Sequence, residues 1–111
     1  MTLPSWTDAM SDGCSVPEGL RPFFPNTPTV RACCIRHDRA YYLGGSRTDR
    51  LRADLQLATD WLATGEVPTW KVMQGLWAIR IGGGPKHRVP NVSWAFGGSV
   101  FKYTDHPAEE G

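Results

Sequence analysis

Cysteine is scarce in this sequence: there are three among 111 residues, at positions 14, 33 and 34, so at least one is unpaired in a monomer. That number excludes the densely stapled scaffold of small secreted domains, where disulfides stand in for a core. No apolar run approaches the ~20 residues that a membrane-spanning helix needs. Charge of one sign is not in excess either. Twelve Lys and Arg against 11 Asp and Glu leave +1, far from the polycation that nonspecific nucleic-acid binding requires. The opening Met-Thr-Leu-Pro-Ser-Trp has neither a positive leader nor an apolar stretch. The expectation is a soluble protein made in the cytoplasm without a secretion signal. Internal repeats and low-complexity segments are also lacking.

What is present is ordinary globular composition, 41% hydrophobic and 21% charged, in a chain long enough for one core. We therefore read a single domain over residues 1–111. Twelve glycines and nine prolines cut the chain into short pieces. Prolines 4, 17, 22, 25 and 28 make the first 29 residues irregular. Thr27 or Thr29 can then cap a helix over about 30–43, which Gly44-Gly45 ends. Ser46 and Asp49 have capping-box spacing, with Asp in place of Glu, and open a second helix over about 47–64. Leu51, Leu55, Ala58 and Leu62 predict its buried stripe, with Arg50, Asp60 and Thr64 on a wet flank. A short glycine turn between two helices predicts antiparallel packing. Trp70–Ile81 reads as a third short helix, ended by Gly82-Gly83-Gly84-Pro85, and the tail has no clear period. The fold class is thus mainly α: two antiparallel core helices, an N-terminal loop and an irregular C-terminal region.

On the first helix, His37 shares a face with Val30, Cys33, Cys34, Ala40 and Tyr41, and so points inward. Asp54 lies beside the apolar stripe of the second helix, where a carboxylate is costly unless paired. The partner across an antiparallel pair is His37. Such a dyad holds a neutral imidazole in one tautomer and leaves its second nitrogen to take a proton from water. No Gly-x-Ser-x-Gly elbow supports a serine nucleophile. Asp38, projecting to the side, suits a hard cation, whose other ligands must be carbonyls or water. The loop Asp12-Gly13-Cys14-Ser15-Val16-Pro17 can supply carbonyls.

The run Cys33-Cys34-Ile35-Arg36-His37-Asp38-Arg39-Ala40-Tyr41 resembles the active-site helix of phospholipase A2 enzymes, Cys-Cys-x-x-His-Asp-x-Cys-Tyr. With Ala40 in place of a cysteine and Ala53-Asp54 close behind, it is most similar to the minimal phospholipase A2 domains of bacterial, phage and parvoviral proteins. The specific likeness covers about residues 12–57. It implies His37 as general base, Asp54 as the carboxylate orienting it, and Tyr41 as a supporting hydrogen-bond donor. It further implies Asp38 as a Ca2+ ligand, with the carbonyls of Gly13, Ser15 and Pro17 in a calcium loop over 12–17, and a Cys14–Cys34 disulfide. The loop departs from the family in lacking its Cys-Gly-x-Gly-Gly run. The implied activity is calcium-dependent hydrolysis of the sn-2 ester of glycerophospholipids, with the phospholipid membrane surface as partner and substrate, and no nucleic acid.

A reading of another class is a calcium-stabilised structural or interaction module, such as a phage virion or tail component, with the same fold and little activity. A minor alternative gives Cys14, Cys33, Cys34 and His37 to zinc, although no Cys-x-x-Cys pair is present. Trp70, Trp77, Trp94, Phe96 and Phe101 either meet lipid or fill the core, and a domain this small favours core for most of them. Arg80, Lys86, His87 and Arg88 read equally as lipid-phosphate contacts or a solvated basic loop. Gly82–Lys86 lacks the Gly-Lys-Ser/Thr ending of a phosphate-binding loop.

Overall fold

The computed structural model describes residues 5–7, 27–89, 92–97 and 100–105. Among them are three α-helices, α1 (Pro28–Leu43), α2 (Arg47–Thr64) and α3 (Thr69–Gly82), and a 3-10 turn at Pro85–His87. The expected helix bounds differ from these by no more than two residues.

Local chemistry sets those bounds. Thr27 accepts the Val30 N–H at 3.2 Å, and Pro28 occupies a first-turn position where its missing N–H costs nothing. The chain leaves α1 through Gly44 at φ +78°, where a side chain is strained and a Cβ would stand 2.7 Å from that of Ala95. The capping box forms in both directions, Ser46 N–H to Asp49 at 2.9 Å and Asp49 N–H to Ser46 Oγ at 3.1 Å. Gly65, left-handed, closes α2.

The two helices are antiparallel, since partners across them run in opposite order. Thr27 meets Glu66, Arg36 meets Asp60, His37 meets Asp54, and Tyr41 meets Arg50. α3 also runs antiparallel to α2 and packs against the same buried face, with Gly75 against Trp61 and Arg80 against Asp54. Gly75 permits that approach, because a Cβ there would lie 2.7 Å from the Trp61 ring.

The buried face of α2 is rotated from the expected one. Arg50, Asp54, Leu57, Ala58 and Trp61 are buried, whereas Leu51, Leu55 and Leu62 are exposed. Only Ala58 of the expected stripe faces inward. One position along a helix turns the face by about 100°, and the choice went to the side that carries Trp61 together with polar groups able to satisfy one another.

Two apolar clusters result among the described residues. One joins Val30, Cys33 and Cys34 of α1 to Leu57, Ala58 and Trp61 of α2 and to Val67 and Val72. The other gathers Tyr41, Trp94 and Ala95, with Ala53, Phe96 and Tyr103 against them. Ile79 touches both. The C-terminal segment is tied down by backbone and indole bonds. The Trp94 indole donates to the Gly45 carbonyl at 3.0 Å, and the N–H groups of Trp94 and Ala95 donate to the carbonyls of Gly83 and Tyr41 at 2.9 and 2.8 Å. Trp94 is therefore core, as expected, but Trp70 and Trp77 are 59% and 65% exposed. No helix among the described residues is long and apolar enough to cross a membrane.

Candidate active site

Between the two apolar clusters lies a polar one centred on Asp54, which is completely buried. His37 and Tyr41 stand one turn apart on α1 and both reach Asp54 Oδ1. His37 Nε2 lies at 2.7 Å, and the Tyr41 hydroxyl donates at 2.7 Å. The other carboxylate oxygen, Oδ2, accepts from Arg80 Nη1 of α3 at 2.7 Å. Arg50, one turn before Asp54 on α2, donates from Nε to the Tyr41 hydroxyl at 3.0 Å and approaches Oδ2 at 3.9 Å. Its other nitrogens donate to Tyr103 Oη at 3.0 Å and to the carbonyls of Ile79 and Arg80 at 2.8 and 3.0 Å.

Electrostatics follow from these partners. Burial alone would raise the Asp54 pKa, but hydrogen bonds from His37, Tyr41 and Arg80 outweigh it and hold the carboxyl below 3.8. Asp54 is thus an acceptor only. A neutral His37 must then carry its proton on Nε2, which leaves the lone pair on Nδ1 to act on another molecule. Tyr41 is pushed up, first by burial and then by the Asp54 charge, so it stays a phenol. Burial opposes the charge of Arg50, yet its hydrogen bonds to Tyr41 and Tyr103 more than offset that, and its pKa is raised. The tilted ring of His37 lies 4.4 Å from that of Tyr41, which makes a T-shaped contact with the Trp94 ring at 4.8 Å. The imidazole is held from below while its side chain stays 9% exposed.

His37, Tyr41 and Asp54 are brought together, then, in hydrogen-bonding contact. Asp38 is half-buried on the adjoining flank of α1 and engaged in interactions there. Gly13, Ser15 and Pro17 lie outside the described residues, as does Cys14. Cys34 is a bonded cysteine and Cys33 the free, buried one, its thiol donating to the Thr29 carbonyl at 3.4 Å. Among the described residues no three His, Cys, Asp or Glu side chains cluster as a metal site. Asp38 therefore fits a hard cation only as one carboxylate among carbonyls and water.

Two arginines are additions to the expected set, and both correct it. Arg50, read as part of a wet flank, is 4% exposed and donates four hydrogen bonds. Its position four before Asp54 was the available signal. Arg80, read as a solvated or lipid-facing cation, spends its charge on Asp54. Nothing local in the sequence points to that pair; only the general need of a buried carboxylate for a cation does. Comparison of the chain with protein-family models, curated proteins and solved structures found no match.

Proposed function

We propose that this chain is a phospholipase A2-type ester hydrolase that uses His37 and Asp54 to activate water against the sn-2 ester of glycerophospholipids, with Ca2+ as cofactor. The observation that carries the reading is the 2.7 Å contact of His37 Nε2 with a buried, ionised Asp54, with Tyr41 on the same oxygen. It occurs on the helix whose residues resemble the phospholipase A2 active site.

In this mechanism His37 Nδ1 takes a proton from water as the water oxygen bonds to the ester carbonyl carbon. Asp54 accepts the Nε2–H throughout and stabilises the imidazolium. Tyr41 and Arg50 hold the carboxylate and the ring in place. When the tetrahedral intermediate collapses, the C–O bond to the glycerol breaks and His37 returns its proton to the departing alkoxide. A calcium ion bound by Asp38 and the carbonyls of Gly13, Ser15 and Pro17 would polarise the ester carbonyl, with the Ser15 N–H as a second oxyanion donor. The Cys14–Cys34 bridge belongs to the same proposal, as the link from that loop to α1.

One observation favours the second reading, a structural or interaction module. Asp54 is already ion-paired to Arg80, so part of its charge is spent before an imidazolium forms. Fatty-acid release from phospholipid vesicles, with calcium and with chelator, separates the two. The hydrolase reading expects calcium-dependent release that falls by about 10²–10⁴-fold in His37→Ala. No release from the wild-type chain would sink it. Calcium should also raise the thermal midpoint by binding the folded state, and Asp38→Asn should remove most of that rise. An unchanged rise in the variant would place the ion elsewhere.

A further inference from the structure

α3 is apolar on two opposite faces, and among the described residues only one of them is covered. Val72, Leu76 and Ile79 pack against the core, with Gly75 against Trp61. On the far side Trp70, Met73, Trp77 and Ile81 recur at intervals of three, four and four, a single line along the helix. They are 59%, 49%, 65% and 64% exposed. Scattered surface apolar residues are normal, but a contiguous line containing two tryptophans marks an interaction face.

Charge identifies the occupant. Between Val67 and Thr104 the sequence has Lys71, Arg80, Lys86, Arg88 and Lys102 and no Asp or Glu. Arg80 is spent on Asp54, which leaves the segment four cations in a chain whose total is +1. Lys71 Nζ lies 5.3 Å from the centre of the Trp70 ring, beside the stripe, and Lys86 and Arg88 are exposed beyond its C-terminal end. A second copy of the same face would bring like charges together. An anionic phospholipid bilayer meets both requirements, because tryptophan rings settle at its interface and cations lie among its phosphates.

We infer that the Trp70–Ile81 face of α3 seats the protein on an anionic lipid surface. The inference stands on the stripe and the charge segregation rather than on the dyad. It adds to the proposed hydrolysis the face that meets the bilayer. Arg80 on the same helix reaches Asp54, so a seated α3 lies beside the His37–Asp54 pair.

The test uses the full chain carrying His37→Ala, which consumes no lipid, so that failure to bind and failure to hydrolyse are read separately. Cosedimentation is measured with vesicles of phosphatidylcholine alone and of phosphatidylcholine mixed with phosphatidylglycerol. Binding to the anionic vesicles should be at least about tenfold tighter, weaken with salt, and fall roughly fivefold for each of Lys71→Gln and Lys86→Gln. Adding Trp70→Ala and Trp77→Ala should abolish it with the thermal midpoint unchanged; Met73→Gln with Ile81→Gln is the alternative pair if that variant does not fold. Four results overturn the inference. These are no preference for anionic vesicles, binding indifferent to both pairs of substitutions, a dimer that those pairs dissociate, or tighter binding to a single-stranded oligonucleotide than to the vesicles.

Discussion

At the scale of single residues, Asp54 decides the most. A fully buried carboxylate is tolerated here because His37, Tyr41 and Arg80 donate to it and Arg50 stands close by. Its folded pKa is lowered, so its stabilisation is fully present above the ordinary value of 3.8 and is lost as pH falls through the folded value. Asp54→Asn should cost about 3–5 kcal/mol near neutral pH, since two arginines lose their carboxylate. Between about pH 5 and pH 3 the urea midpoint of the variant should drop less than that of the wild type. Equal drops would show that another group carries the acid sensitivity. The His37–Asp54–Tyr41 constellation was legible in the sequence because its members are short-range: one turn along α1, and one hairpin away on α2. Arg80 was not, because an ion pair across 26 residues leaves no local periodicity.

At the scale of elements, helix ends were legible and helix rotation was not. Caps are decided by a few adjacent residues such as Thr27, Ser46 with Asp49, and Gly65, and each acts through hydrogen bonds within its own turn. Rotation is decided by the partner. The Leu51–Leu55–Leu62 line and the Arg50–Asp54–Leu57–Trp61 line both have helical spacing, and hydropathy alone selects the first. The second prevails because its polar members are hydrogen-bonded to partners and its Trp61 fits over Gly75. Leu57→Ala should therefore cost about 2–5 kcal/mol in urea unfolding, while Leu55→Gln should stay within about 0.5 kcal/mol of the wild type. A comparable loss for Leu55→Gln would mean that another face of α2 is buried. The same reasoning explains Trp70 and Trp77, whose apolarity suggested core while α3 offers its other side inward.

For the whole molecule, the C-terminal segment is the lock. Trp94 is 1% exposed, bonds Gly45 through its indole and makes a T-shaped contact with Tyr41. Trp94→Ala should lower stability by about 3–5 kcal/mol and loosen the His37 ring through Tyr41. A variant with wild-type unfolding would show that the lock is elsewhere. The irregular tail concealed this role, since isolated aromatics among glycines carry no period to read.

The lock also closes the longest of three loops. His37 and Asp54 are 17 residues apart, Asp54 and Arg80 26, Gly45 and the Trp94 indole 49. The entropic cost of loop closure rises in that sequence. The contact of the histidine with its carboxylate therefore costs the least chain entropy to close, that of the arginine more, and that of the tryptophan the most.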